Sequence, residues 1–262
     1  MIPRLENLAL GSLDPVDVET LISAFEHLQR QDFVDPQRIG YVGFCVGASL
    51  ALVAAEDPRI NKKIAFVSVV GGYYDVFELG RAVITQRIRY NGQEKVWRPA
   101  HQTVEGFIRY LANAIKDAQD SAILAQISSS TQPPNHHQLR NLSPIGRRIF
   151  ELLTTDDPAR IEALMAQLPP DEIAKLRVLS PSTGINRLHA KVFIIHDPDD
   201  PFIPPTEARH LADNLPDNVE RTYTELRLFR HVRPIRTLNK YLLLGEVVKL
   251  YQYLYHIMRE LG

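Results

Sequence analysis

The segment Arg38-Ile39-Gly40-Tyr41-Val42-Gly43-Phe44-Cys45-Val46-Gly47-Ala48 restricts the architecture of this chain more than any other. An apolar run breaks at Gly43-Phe44-Cys45-Val46-Gly47 and resumes as a stretch rich in alanine and leucine. That spacing describes a nucleophile elbow, in which a strand turns sharply into a helix and the residue at the turn presents its side chain away from the backbone. The flanking glycines let strand and helix approach where a Cβ would clash. The presented side chain is the only cysteine in the chain, so thiol chemistry is the first functional expectation.

The elements around the elbow follow from local pattern. Asp14-Pro15 ahead of Val18, Leu21, Ile22, Phe25 and Leu28 is a capping residue, a proline at the first helical position and an apolar stripe at helical spacing. Asp35-Pro36 marks a turn, residues 38–44 read as a buried strand, 46–55 as a helix and 64–70 as a second buried strand. Strand, helix and strand in continuous apolar runs predict parallel strands covered on both faces. From residue 72 to 186 the pattern turns helical, over 104–127, 146–153 and 159–168 with a loop at 128–137, which predicts an inserted helical cap. Strand patterning returns at 191–196, followed by an Asp/Pro turn, a helix over 206–214, a strand ending near Phe229 and an amphipathic helix over 241–258. The expected division is a first part of the core at 1–71, the cap at 72–186 and a second part of the core at 187–262.

Composition narrows the function classes. The 262 residues are 45% hydrophobic, enough for one core carrying an insert. Thirty basic and thirty-one acidic residues leave a formal charge of −1 without long runs of one sign, which argues against nucleic acid or a polybasic membrane footprint and for a small-molecule substrate. Gly245, Glu246, Lys249 and His256 interrupt the apolar stretch at 241–258, so no membrane span is expected. A single cysteine forms no internal disulfide and suits a reducing, cytoplasmic setting. The pair His136-His137 lies in a Pro/Ser/Asn loop without a carboxylate or cysteine at ligand spacing, and reads as solvated loop. Gly40, Gly43 and Gly47 lack both the Gly-x-Gly-x-x-Gly spacing and a Gly-Lys-Ser/Thr ending of phosphate loops. Neither metal nor cofactor is expected.

With the elbow, the Asp-rich turn and a late histidine taken together, the chain resembles the α/β-hydrolase fold, and its Gly-x-Cys-x-Gly elbow is similar to that of the dienelactone hydrolase branch. The resemblance implies a mostly parallel sheet flanked by helices, an inserted helical cap, and functional residues in the order nucleophile, acid, histidine. In His196-Asp197-Pro198-Asp199-Asp200-Pro201-Phe202-Ile203-Pro204 its register gives Asp200 as the acid, with Asp197 and Asp199 as competitors in the same turn. Leu228-Phe229-Arg230-His231-Val232 falls where the base should lie, giving His231, while His196 ends a buried strand and reads as structural. The oxyanion hole implied by the fold uses the N–H of Val46 and a second N–H from an earlier loop that this sequence does not contain. The N-terminal strands of the fold are likewise expected to be missing, which leaves the elbow strand at a sheet edge that a second copy or a partner chain can cover.

The activity implied is hydrolysis of a small-molecule ester, lactone or thioester by Cys45, His231 and Asp200 through an acyl-enzyme. Two alternatives stand beside it: a non-catalytic binding or interaction module with an incomplete oxyanion hole, and an acyltransferase. The aromatic residues Tyr73, Tyr74, Tyr90, Trp97, Phe107 and Tyr110 either wall an acyl pocket or simply fill the cap core.

Overall fold

A computed structural model describes the chain except for residues 115–116, 130–138, 156, 232 and 235–238. The loop expected at 128–137, with His136 and His137, therefore lies almost wholly outside the described residues. A short helix α1 (Glu6–Ala9) precedes α2 (Pro15–Gln29), which starts as its sequence predicts: Asp14 Oδ1 accepts a 3.0 Å hydrogen bond from Val16 N–H, and Pro15 occupies the first turn. The buried Asp17 carboxylate accepts from Leu8 N–H at 2.7 Å and ties α1 to α2.

Strand β1 (Tyr41–Phe44), helix α3 (Val46–Ala55) and strand β2 (Phe66–Val70) form the elbow unit. The chain then makes α4 (Val76–Thr85), a hairpin of β3 (Arg87–Tyr90) and β4 (Gln93–Val96), and the helices α5 (His101–Ala114), α6 (Ala118–Ser129), α7 (Pro144–Thr154), α8 (Pro158–Met165), α9 (Pro170–Val178) and α10 (Pro181–Gly184). It returns through β5 (Lys191–His196), α11 (Pro205–Asn214) and β6 (Arg221–Glu225), and ends with the two-residue strands β7 (Phe229–Arg230) and β8 (Arg233–Pro234) and the long helix α12 (Lys240–Leu261).

The main sheet has the order β1-β2-β5-β6 and is parallel throughout. Side chains alternate between its two faces. Val67, Val69, Val192 and Ile194 pack with α2, α3 and α11 in one apolar cluster, whereas Phe66, Phe193 and Ile195 meet Tyr253 and Ile257 of α12 in another. Ser68 and Tyr253 hydroxyls hydrogen-bond at 2.5 Å inside that second layer. The segment between β2 and β5 has its own cluster, built from Tyr110, Leu111, Leu124, Ile149, Leu152 and Ile161 among others.

Several details differ from the sequence-based expectation. The apolar run at 38–44 reads as a buried strand, but Val42 and Phe44 are 55% and 58% exposed, because β1 forms the sheet edge that the resemblance implies. Residues 104–127 divide into α5 and α6, and α9 is an additional helix. The intervening segment is not all helical, because Asn91 (φ 49°) and Gly92 (φ 72°) close the β3–β4 hairpin with two consecutive left-handed residues. That conformation belongs to the type I′ turn, whose twist matches that of the flanking strands. On α12 only part of the apolar stripe is used: Tyr253 and Ile257 are buried, and Leu244, Tyr251 and Met258 are exposed. Among the described residues no helix is long and apolar enough to cross a membrane.

Glu207, in the first turn of α11, locks the exit of β2 to the second half of the sheet. Its Oε2 accepts from the N–H groups of Tyr74 and Asp75, each at 2.9 Å. Burial raises its carboxyl to about 8 in spite of these two bonds. The folded state therefore keeps a proton that the unfolded chain releases near 4.5, and stability falls as pH rises from about 4.5 to about 8. Glu207→Gln keeps an acceptor for both N–H groups without the titration. Its thermal midpoint should exceed that of wild type at pH 9, with a smaller gap at pH 5, by calorimetry at both pH values.

Candidate active site

Cys45 sits between β1 and α3 with φ 53° and ψ −136°, a region that non-glycine residues avoid. Its own N–H donates to Val70 O at 2.8 Å, extending the β1–β2 pairing through the turn, so the strained backbone is held by the sheet. The thiol is half-buried. Val46 follows as the first residue of α3, and its N–H belongs to the helix's first turn, where intrahelical acceptors are lacking.

The two glycines of the motif are not equivalent. A Cβ on Gly43 would press on Ala48 Cα and lie 2.8 Å from the Ala48 nitrogen, so only glycine allows β1 and α3 to approach this closely. A Cβ on Gly47 would meet nothing nearer than Leu8 Cδ2 at 4.0 Å, so the second glycine is not required by close packing here, contrary to the expectation from the motif.

Asp200 is fully buried at the turn after β5. Its Oδ1 accepts from Phe202 N–H at 2.7 Å and Ile203 N–H at 3.2 Å, and its Oδ2 lies 2.7 Å from Nδ1 of His231. His231 occupies the turn between β7 and β8 with φ 60°. The neighbouring Val232 lies outside the described residues. Three observations explain why His231 stays in this conformation: Asp197 Oδ2 accepts its backbone N–H at 3.2 Å, its ring stacks on Phe202 with centroids 4.8 Å apart, and Asp200 holds Nδ1. With Nδ1 engaged, Nε2 is the ring nitrogen left to act towards Cys45. Burial pulls the imidazole down, but Asp200 and the nearby Cys45 outweigh this and raise it to about 10.

The competing residues of the acid turn have other partners. Asp197 Oδ1 accepts from Asp199 N–H at 3.0 Å, and burial raises the Asp197 carboxyl. Asp199 faces solvent, 3.7 Å from Arg227. His196 lies 3.4 Å from Asp200 Oδ2, but its Nε2 is 3.1 Å from Ile203 O, and burial lowers its pKa. A neutral His196 that donates from Nε2 to that carbonyl fits both facts, which agrees with a structural role.

Sequence reasoning missed the clamp on the acid turn. Trp97 Nε1–H donates to Asp200 O at 2.8 Å, Ala100 N–H to Pro201 O at 2.6 Å, and Thr103 Oγ1 to Phe202 O at 3.3 Å. Residues 97–103 thus fasten the intervening segment to the turn that carries the acid. The aromatic residues considered for a pocket separate accordingly. Phe107 and Tyr110 line a cavity beside Cys45, Tyr74 and Tyr90 line a different groove, and Tyr73 is buried behind the elbow, with its N–H donating to Ser49 Oγ. Gly71, at φ 64°, was not singled out from the sequence either, although a Cβ there would lie 3.4 Å from His231 Nδ1.

Residues 12–72 match the sequence model of the dienelactone hydrolase family. The matched span holds α2, β1, the elbow, α3 and β2, and the similarity to that family is confined to it. Comparison with curated protein sequences gave no match. Among solved structures, a meta-cleavage product hydrolase of Pseudomonas fluorescens is similar at 14% identity and a TM-score of 0.40, over 94% of this chain and 72% of that one. An acetyl xylan esterase from a Thermoanaerobacterium species gives 11% identity and a TM-score of 0.44 over 92% of this chain, which spans only 52% of the esterase. A putative lipase from Acinetobacter baumannii gives 13% identity and a TM-score of 0.42, over 95% and 68% of the two chains. At these scores the functional reading rests on the residues of the chain itself.

The unequal glycines make a direct test. Gly43→Ala should destabilise the fold by about 3 kcal/mol through the clash with Ala48. Gly47→Ala, on the first turn of a helix with open space around it, should be neutral or stabilising by up to about 1 kcal/mol. Urea unfolding of both variants measures the difference.

Proposed function

We propose that the chain hydrolyses carboxylic esters, lactones or thioesters through Cys45, His231 and Asp200, by way of an acyl-enzyme. The observation that carries this reading is the imidazole of His231, bonded through Nδ1 to the buried Asp200 and standing near the cysteine of the strained turn after β1. A histidine raised to about 10 is protonated at neutral pH, and an imidazolium beside a thiol favours the thiolate, the nucleophilic form.

In the first half-reaction Cys45 Sγ attacks the acyl carbonyl and forms a C–S bond. The bond to the leaving oxygen or sulfur breaks, and His231 passes its Nε2 proton to that atom. In the second, a water gives a proton to His231 and adds to the acyl carbon. The C–S bond then breaks, the acid leaves, and the thiolate–imidazolium pair is restored. Asp200 fixes the ring so that Nε2 faces the reaction and stabilises the charged imidazole. Val46 N–H is the oxyanion donor this reading assigns, since it heads α3 next to the nucleophile.

The test is the rate of Cys45 alkylation by iodoacetamide against pH, followed by intact mass in wild type and His231→Ala. Wild type should label fast on a plateau that extends well below about 8.5, where an ordinary thiol titrates. In His231→Ala the plateau should vanish and the rate should follow an ordinary thiol. Slow labelling that the variant leaves unchanged would falsify the nucleophile assignment.

The same histidine predicts a stability trend. Its folded pKa lies above its ordinary 6.5, so its contribution is fully present below 6.5 and is lost as pH rises through about 10. The difference in thermal midpoint between wild type and His231→Ala should therefore shrink between pH 7 and pH 11.

A further inference from the structure

The cavity that opens at Cys45 has a volume of 290 Å³. It runs from the elbow and the Phe202-Ile203 turn into the intervening helices, where Leu79, Val83, Leu111, Leu152, Leu168 and Leu176 form its wall. Among the described residues none of those lining it carries a charge. Besides Cys45 and Tyr110, its polar side chains are Ser12, Gln102 and Thr103. Tyr110 turns its hydroxyl outward, 3.3 Å from Glu172 Oε2, and offers the cavity its ring.

From this geometry we propose that the acyl group accepted by Cys45 is an uncharged, medium-length hydrocarbon chain, of about six to ten carbons, delivered as an ester or thioester. The length follows from the volume. An apolar cavity of about 150 Å³ holds one benzene molecule, so 290 Å³ has room for at most about a dozen carbon atoms, and fewer for a flexible chain. Charge follows from the lining. A carboxylate carried on the acyl group would be buried with no cationic partner, which is strongly unfavourable. The proposal rests on Cys45 as nucleophile, but the selectivity resides in the cavity and is visible in any reaction at the thiol.

Gly106 gives the means to test it. It lines the cavity from α5, and a Cβ at this position meets nothing within 4 Å, so Gly106→Leu projects a side chain into open space and replaces a poor helix former by a good one. Two series are measured on wild type and on this variant. The first is kcat/KM for p-nitrophenyl esters from acetyl to dodecanoyl, with the succinyl ester as a charged comparator. The second is the rate of Cys45 alkylation by N-alkylmaleimides from ethyl to dodecyl, which needs a thiol and a cavity but no turnover.

For wild type, both rates should rise about threefold to fourfold per methylene up to eight or ten carbons and then level or fall, the slope being that of methylene transfer out of water. The succinyl ester should be at least about tenfold slower than the butanoyl ester. Gly106→Leu should flatten both series, losing far more rate with the longer chains than with the acetyl ester or ethylmaleimide. Chain-length selection in alkylation without ester turnover would uphold the cavity assignment and reject the hydrolase. Turnover or alkylation indifferent to chain length, a thiol that no maleimide modifies, or a succinyl ester as fast as the butanoyl ester would each overturn the cavity assignment.

Discussion

The carboxylate of Asp200 has no contact with solvent, and a buried charge of this kind persists only if its lone pairs are taken up. Phe202 N–H, Ile203 N–H and the His231 ring take them up, and each requirement shapes a different part of the chain. The first two curl residues 200–203 into a tight turn ahead of α11. The third draws a loop from beyond β6 across the end of the sheet to a position above β2. Gly71 passes beneath it at φ 64°, a conformation that favours glycine, and a Cβ there would stand in ordinary contact with both His231 and Asp200. Asp197 compensates the second strained backbone in the site by accepting the N–H of His231. Removing the Asp200 charge would thus leave a turn, a loop and a left-handed histidine without their common support.

Four parallel strands bring these groups together. The cysteine leaves β1, the glycine at 71 leaves β2, the acid leaves β5, and the histidine follows β6. All lie at the carboxyl ends of the strands, where open α/β sheets form their crevices. The intervening segment then closes the crevice from above. It contributes Trp97, Ala100 and Thr103 to the Asp200 turn and an apolar wall to the cavity, so one stretch of chain both braces that turn and encloses the space beside Cys45.

What was legible in the sequence is what local chemistry writes. The Asp14-Pro15 cap, the elbow, the helix after it and the apolar strands at 66–70 and 191–196 could be read directly, because capping, strain and burial each leave a short-range mark. The β3–β4 hairpin was equally written, in Asn91-Gly92 between alternating residues, and was obscured by the helical character of its neighbours. Other features could not be read locally. The Trp97 bond to Asp200 spans distant parts of the chain, and nothing in the neighbourhood of Trp97 signals an acceptor. The edge position of β1 came from the resemblance and not from its apolar run, which by itself reads as a strand buried on both faces. Gly47 shows the reverse error, a residue that fits the motif without a contact that demands it.

The positive φ at Cys45 limits which residues can ever occupy the turn. A side chain branched at Cβ is a steric outlier at φ 53°, so threonine and valine are barred from this position whatever chemistry they bring. Exchange of the reactive group is confined to unbranched residues such as serine, aspartate and cysteine itself. Serine or aspartate in place of Cys45 would therefore change the chemistry of the exposed group while the backbone that presents it stays the same.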